Sequence, residues 1–439
     1  MPVFQGPRDR DTGDAIRSTT PANREVSMSG ESFRFIHASD FHLERPLGDL
    51  DVLPKHLRSA LASAPRNAAL SVFEAALAEN IDFLVLSGDL LSPTAAGPHG
   101  MSLLLEGFER LNEKHKPVFW SAGVADDPAK WPDSIPLPAN VHLFPKQNVE
   151  LVPVQRAGRT IAAVVGRSSD GRSHLHVPGF KFDPVDSFTV GVGYGSAAAG
   201  TLDDVPLDYW ALGGRHNREE IEGGARSGAI YCGSPQGRCL DEPGSHGYTM
   251  VDVDADQTTR IHEMPCDTFR YADEKIGSAQ ISEAGSLKNV FGHRIARLQH
   301  EAAGRHLIIR WTIEVPDAGM LPSIGQTREL LSELRRDFGS GNPSAWTTAI
   351  RVMPPSQFPQ SWQEEDTILG DFLRVADVAR GGGDHDRHGN LTPLTEEHPV
   401  SESTAALLAD LPAGSRAEVF EQATLLGVDL LRGGKGMMN

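Results

Sequence analysis

Three short clusters in the chain combine carboxylate and imidazole side chains. Asp40 and His42 form a D-x-H pair, Asp89 follows Gly88, and His216 closes the run Gly213-Gly214-Arg215-His216. Each cluster directly follows an apolar run. Carboxylate oxygens and imidazole nitrogens together suit Mn²⁺, Fe²⁺ or Zn²⁺. An ion held by Asp40, His42, Asp89 and His216 could polarise a substrate and acidify a water. Taken singly, an aspartate after a strand reads as a turn residue. The order and setting of the three clusters together make the case for a metal centre.

The elements that must position these residues alternate in type. FRFIHA (33–38) reads as a buried strand, residues 66–80 as a helix, and IDFLVLSGDLL (81–91) as a strand entering a loop. A second helix is expected over 101–115 and a strand over 116–123. Strands alternating with helices indicate an α/β sheet whose strand-end loops carry function. From about 140 to 254 the pattern is strand-rich, with candidates at 141–144, 149–154, 160–166, 187–193, 208–214, 228–233 and 247–254. Two sheets, each covered by helices, would form a layered sandwich. Beyond about 270 the pattern predicts strands at 306–315 and 345–353, a helix at 327–338 and terminal helices up to 434. These suggest a smaller C-terminal domain. Residues 1–31 read as a disordered tail, in which Met28 offers a second candidate start, and RGGGDHDRHGN reads as a flexible linker near 380–392.

Composition bounds the function. A chain of 439 residues suggests two or three domains. With 41 basic against 59 acidic residues the net charge is −18, which disfavours autonomous, non-specific nucleic-acid binding. The three cysteines, Cys232, Cys239 and Cys266, form no C-x-x-C pair. They fit a reducing, cytoplasmic location rather than a disulfide framework or a structural zinc site. The sequence has no apolar run near the roughly 18 residues of a membrane helix and no signal-peptide core, so no membrane association is expected.

FIHASDFHLERPLGDL, DFLVLSGDLL, DYWALGGRHNREEI and IYCGSPQGRCLDEPGSHGYTMVDVD, taken in order, resemble the motifs of the calcineurin-like metallophosphoesterase superfamily, in particular bacterial DNA-repair exonucleases of the SbcD and YhaO type. The resemblance runs from about Phe33 to Asp254. A weaker likeness to that family's capping domain extends through RELLSELRRDFGSGNPSAWTTAIRV. It implies a four-layer α/β/β/α sandwich over 32–270 and a smaller α+β capping domain over 271–439. It also implies a two-metal phosphodiesterase site, with DNA ends, an SMC-like coiled-coil ATPase and a second copy of the chain as candidate partners.

Of the eight positions the resemblance implies, four are kept. Asp40, His42, Asp89 and His216 match the full set for one ion, with Asp89 in the bridging place. The G-N-H-D motif reads Gly123-Val124-Ala125-Asp126, so Val124 stands for an asparagine ligand and Ala125 for the catalytic histidine. Tyr194 and Gly214 stand where the resemblance implies histidine ligands. The expectation is one divalent ion, Mn²⁺ foremost with Zn²⁺ or Fe²⁺ as alternatives, and weak or absent phosphodiester hydrolysis. The rival expectation is an inactive pseudo-enzyme acting as a scaffold or DNA-end-binding subunit. Arg238, Ser234 and Gln236 in the GSPQGR loop are candidate substrate contacts; Arg238 suits a phosphate or a structural ion pair equally.

Other residues have plainer readings. His37 is expected to pack in the first strand, Asp126 and Asp127 to serve turns or ion pairs, and the cysteines to be inert. His99, His174 and His176 are expected in solvated loops, and His385 and His388 in the linker.

Overall fold

The computed structural model describes residues 30–50, 52, 54–277, 280, 287–314, 327–353, 358–381, 420, 423–428 and 430–431. The expected tail up to residue 29, the linker beyond 381 with His385 and His388, and most of the expected terminal helices lie outside these residues.

Two six-stranded sheets form a sandwich. The first has the order β12-β11-β1-β2-β3-β4. Its strands β1 (Phe33–Ala38), β2 (Phe83–Leu86), β3 (Val118–Trp120) and β4 (Val141–Leu143) run parallel, while β11 (Gly247–Val253) and β12 (Thr259–Pro265) add an antiparallel edge. The second sheet has the order β5-β6-β7-β8-β10-β9. Here β6 (Arg159–Gly166), β7 (Phe188–Tyr194), β8 (Tyr209–Gly213) and β10 (Ala229–Tyr231) are parallel, and β5 (Glu150–Arg156) and β9 (Glu219–Ile221) close the edges antiparallel.

Alternation along the central strands dictates the layers. Phe33 and Phe35 of β1 point between the sheets with Phe83, Val85, Phe188, Val190 and Val251. Ile36 and Ala38 point the other way, against Val72, Phe73 and Ala76 of α1 (Arg58–Ala78) and Leu104 and Phe108 of α2 (Gly97–Glu113). Strands buried on both faces read as near-continuous apolar runs, as FLVL of β2 does. The outer face of the second sheet is covered more thinly, by a 3-10 turn at Val177–Gly179, the four-residue helix α3 (Ala199–Leu202) and loops, which bury Val177, Phe180, Leu202 and Leu207 on Trp210.

Helix α1 begins at Arg58, eight residues before the expected start, and runs through Pro65. Proline lacks the N–H of a helical hydrogen bond. The lost bond is offset because Leu57, Leu61 and Ala64 are buried against Leu240, Phe269, Tyr271, Ile308 and Trp346. Those last residues lead into a third sheet, β13 (Phe269–Ile276), β14 (His306–Glu314) and β15 (Ala345–Met353), all parallel. Parallel neighbours need crossovers, supplied by α4 (Leu287–Ala302) and α5 (Thr327–Phe338). Beyond them follow α6 (Gln360–Gln363) and α7 (Ile368–Gly381). His99 is exposed, on α2 rather than in a loop. Among the described residues no helix is long and apolar enough to cross a membrane.

Candidate metal centre

The parallel strands of both sheets deliver their C-terminal ends to one edge of the sandwich. β1 leads into Asp40 and His42, β2 into Asp89, β7 ends at Tyr194, and β8 leads into His216. Backbone hydrogen bonds join the first two loops, with Asp40 N–H donating to the Gly88 carbonyl (2.8 Å) and His42 N–H to the Asp89 carbonyl (3.0 Å). Asp40, His42 and Asp89 all hold left-handed backbone conformations, at φ 55°, 41° and 52°.

His42 Nε2 lies 3.1 Å from His216 Nε2, 3.6 Å from Asp89 Oδ2 and 4.0 Å from Asp40 Oδ1. Ligating atoms of Asp40, His42 and His216 all fall within 4.8 Å of one another. The far nitrogens are held by carboxylates. His42 Nδ1 is 3.4 Å from Glu44 Oε1, and His216 Nδ1 is 2.6 Å from Glu242 Oε1. A carboxylate on Nδ1 fixes the tautomer that leaves the Nε2 lone pair free, the usual support for a metal-ligating histidine. Burial keeps His42 below the ordinary imidazole range and hence neutral, the form that ligates.

Asp40 supplies the clearest sign that a cation fits. Its Oδ2 accepts hydrogen bonds from Ser39 Oγ (2.6 Å) and Gly214 N–H (3.0 Å). Its Oδ1 is fully buried with no hydrogen-bond partner among the described residues. Burial, with Asp89 adding to it, pushes the Asp40 carboxyl up to about 7 against the pull of those hydrogen bonds. A buried carboxylate with an orphan oxygen is costly unless a cation meets it. Two imidazoles face the same point, so the donor set suits a divalent ion of the Mn²⁺ or Zn²⁺ kind. The centre opens to solvent beside His216, whose side chain is 28% exposed against 1% for His42.

Around Asp89 the arrangement differs. Its Oδ1 accepts from Ala125 N–H (2.7 Å) and its Oδ2 from the Tyr194 hydroxyl (2.6 Å). Val124 is turned outward and exposed, and Ala125 brings only its backbone N–H. Asp126 is buried and gathers N–H donors from Asp89, Leu90, Gly123 and the Trp120 indole, pinning the two loops together. Asp127 pairs with Lys146 at 3.0 Å.

In the GSPQGR loop the side chains of Ser234, Gln236 and Arg238 are all buried. Ser234 Oγ is buried among the His216 and Gln236 carbonyls and His246 Nδ1. Gln236 Oε1 accepts from the Thr268 and Phe269 N–H groups, and its Nε2 donates to the Gly237 and Phe269 carbonyls. Both ends of the Gln236 amide thus help to tie the loop to β13. Arg238 donates from Nη2 to the Asp40 carbonyl (2.8 Å), and its Nε and Nη1 are buried without partners among the described residues. It braces Asp40 from behind, 5% exposed.

His37 packs as expected, with Nδ1 3.1 Å from Tyr209 Oη and Nε2 2.8 Å from Ser87 Oγ. His174 and His176 are exposed in loops. The cysteines are free, and burial raises Cys232 and Cys266 to about 12, away from the thiolate form. Glu44 and Glu242 were not legible in the sequence, where nothing distinguishes them from the other acidic residues.

A sandwich whose strand ends gather an Asp-x-His pair, a second aspartate and a distal histidine is consistent with a metallophosphoesterase fold. Residues 33–189 match the family model described as calcineurin-like phosphoesterase. A relative is the uncharacterized metallophosphoesterase YhaO of Bacillus subtilis (strain 168), 29% identical over 239 residues, which make up 50% of this chain and 57% of that protein. The chain therefore matches little more than half the length of this relative. The solved structure of Yfce, a phosphoesterase from E. coli, covers 52% of this chain and 98% of its own at 16% identity, with a TM-score of 0.23.

Proposed function

We propose that the chain is a metal-dependent phosphoesterase that binds one divalent ion through Asp40, His42, Asp89 and His216 and hydrolyses phosphodiesters slowly. The observation that carries this reading is the convergence of two carboxylate-supported imidazoles on the orphan oxygen of Asp40. An ion there would supply Lewis acidity and a more acidic water. Glu44 and Glu242 orient the imidazoles, Arg238 holds the Asp40 backbone, and the opening beside His216 admits substrate. Resemblance supports DNA as the phosphodiester and an SMC-like ATPase as the partner.

A second reading, a scaffold without turnover, is favoured by one observation. Ala125, in the place of the catalytic histidine, offers no proton to a leaving group. The test is hydrolysis of bis(p-nitrophenyl) phosphate with Mn²⁺ by wild type and Asp40→Asn, with folding checked by circular dichroism. Turnover lost in the variant supports the enzyme. Metal binding without turnover in wild type supports the scaffold, and no metal binding overturns both.

A further inference from the structure

The Tyr194 ring lies close against the backbone at three glycines. A β-carbon added at Gly88 would lie 2.6 Å from Tyr194 Cδ2, one at Gly123 2.7 Å from Cε2, and one at Gly214 3.2 Å from Cζ. The ring thus lies beside Asp89, between the loops that carry Val124 and Gly214. Its hydroxyl donates to Asp89 Oδ2 at 2.6 Å, the same oxygen that lies 3.6 Å from His42 Nε2. Gly214 has φ +97°, a conformation that a side chain resists, and a side chain there would also press on the ring.

We propose that Tyr194 is the built-in occupant of a second ion's place. The ring takes the volume, the O–H satisfies Asp89, and the centre is thereby fixed at one ion. Val124, Gly214 and Tyr194 then form one linked arrangement in place of three separate losses. The inference rests on the metal-centre reading above.

The test is Mn²⁺ bound per chain, by equilibrium dialysis with elemental analysis, together with the Mn²⁺ electron paramagnetic resonance spectrum. Wild type and Tyr194→Phe should each bind one ion and give the spectrum of an isolated ion, because the ring remains in both. Tyr194→His combined with Val124→Asn should approach two ions per chain and show spin coupling. If that variant fails to fold, Tyr194→Ala with Val124→Asn reads out the same volume. Two ions in wild type, or one ion in the folded double variant, would overturn the inference alone. No ion in wild type would overturn the metal centre and this inference with it.

Discussion

His42 and His216 turn their Nε2 atoms toward each other at 3.1 Å, while Glu44 and Glu242 hold the opposite nitrogens. Two neutral imidazoles gain little from such a meeting, and two protonated ones would repel. A shared cation resolves both difficulties, so the pair should respond to metal before it responds to substrate.

The first expectation concerns Asp40. Asp40→Asn removes the orphan carboxylate oxygen and should weaken Mn²⁺ binding by more than the roughly 10–100-fold that loss of an outer partner costs. Because the wild-type carboxylate is costly to ionise in its buried place, the metal-free variant should melt no lower than the metal-free wild type. Thermal melts with and without Mn²⁺ check both points. A ligand that binds only the folded state raises its stability, so the Mn²⁺-dependent rise in Tm should vanish in the variant.

Glu242 acts at one remove. Burial alone would raise its carboxyl, but the His216 hydrogen bond and the Arg238 charge outweigh that and hold it down to about 2. Glu242→Gln keeps an acceptor and loses the charge, so Mn²⁺ affinity by calorimetry should fall about 10-fold. Glu242→Ala frees the imidazole entirely and should cost about 100-fold. Equal affinity in all three proteins would show that the carboxylate is not orienting His216.

Acid should loosen the fold through His37. Burial, with the Arg218 charge assisting, lowers its imidazole from 6.5 to about 3. The folded state then binds fewer protons than the unfolded state once the pH drops below about 6.5, and stability is lost as the pH falls toward 3. The contribution is about 1.4 kcal/mol per pH unit in that window. Urea unfolding in the presence of chelator, from pH 6 to pH 4.5, should show a shallower decline for His37→Asn than for wild type.

Gln236 should prove structural. Gln236→Leu strands the Thr268 and Phe269 N–H groups and the Phe269 carbonyl. Buried groups left without partners cost about 1–3 kcal/mol each, so urea unfolding should register a loss of at least about 2 kcal/mol. Mn²⁺ affinity should be unchanged, because the Gln236 side chain bonds to Gly237, Thr268 and Phe269 and to none of the candidate ligands.

The sequence made Asp40, His42, Asp89 and His216 legible as candidate ligands because each follows an apolar run and the runs are buried on both faces. It was less informative wherever a residue's role depends on a distant partner. FRYADEKI, strand β13, carries charge on both faces, Arg270 and Glu274 on one and Asp273 and Lys275 on the other, and did not read as a strand. Helix α4 buries Leu287, Val290, Phe291, Ile295 and Leu298 at helical spacing, and that signal was present but unread. Tyr194 read as a lost ligand. That its ring lies against Gly88 and Gly123 depends on β7 meeting two loops from the other sheet. Ser234 and Gln236 read as substrate contacts because the motif is polar; the fold spends that polarity on itself.

The left-handed backbone at Asp40, His42 and Asp89 has a consequence for how this protein would drift or be redesigned. Non-glycine residues in that conformation cost on the order of 1 kcal/mol each, and glycine relieves the cost. Glycine there would relieve the backbone but empty buried volume and strand the groups that Asp40 and Asp89 bond. Backbone strain and side-chain burial are therefore tied together at these positions, and neither can be traded away alone when the chain is redesigned.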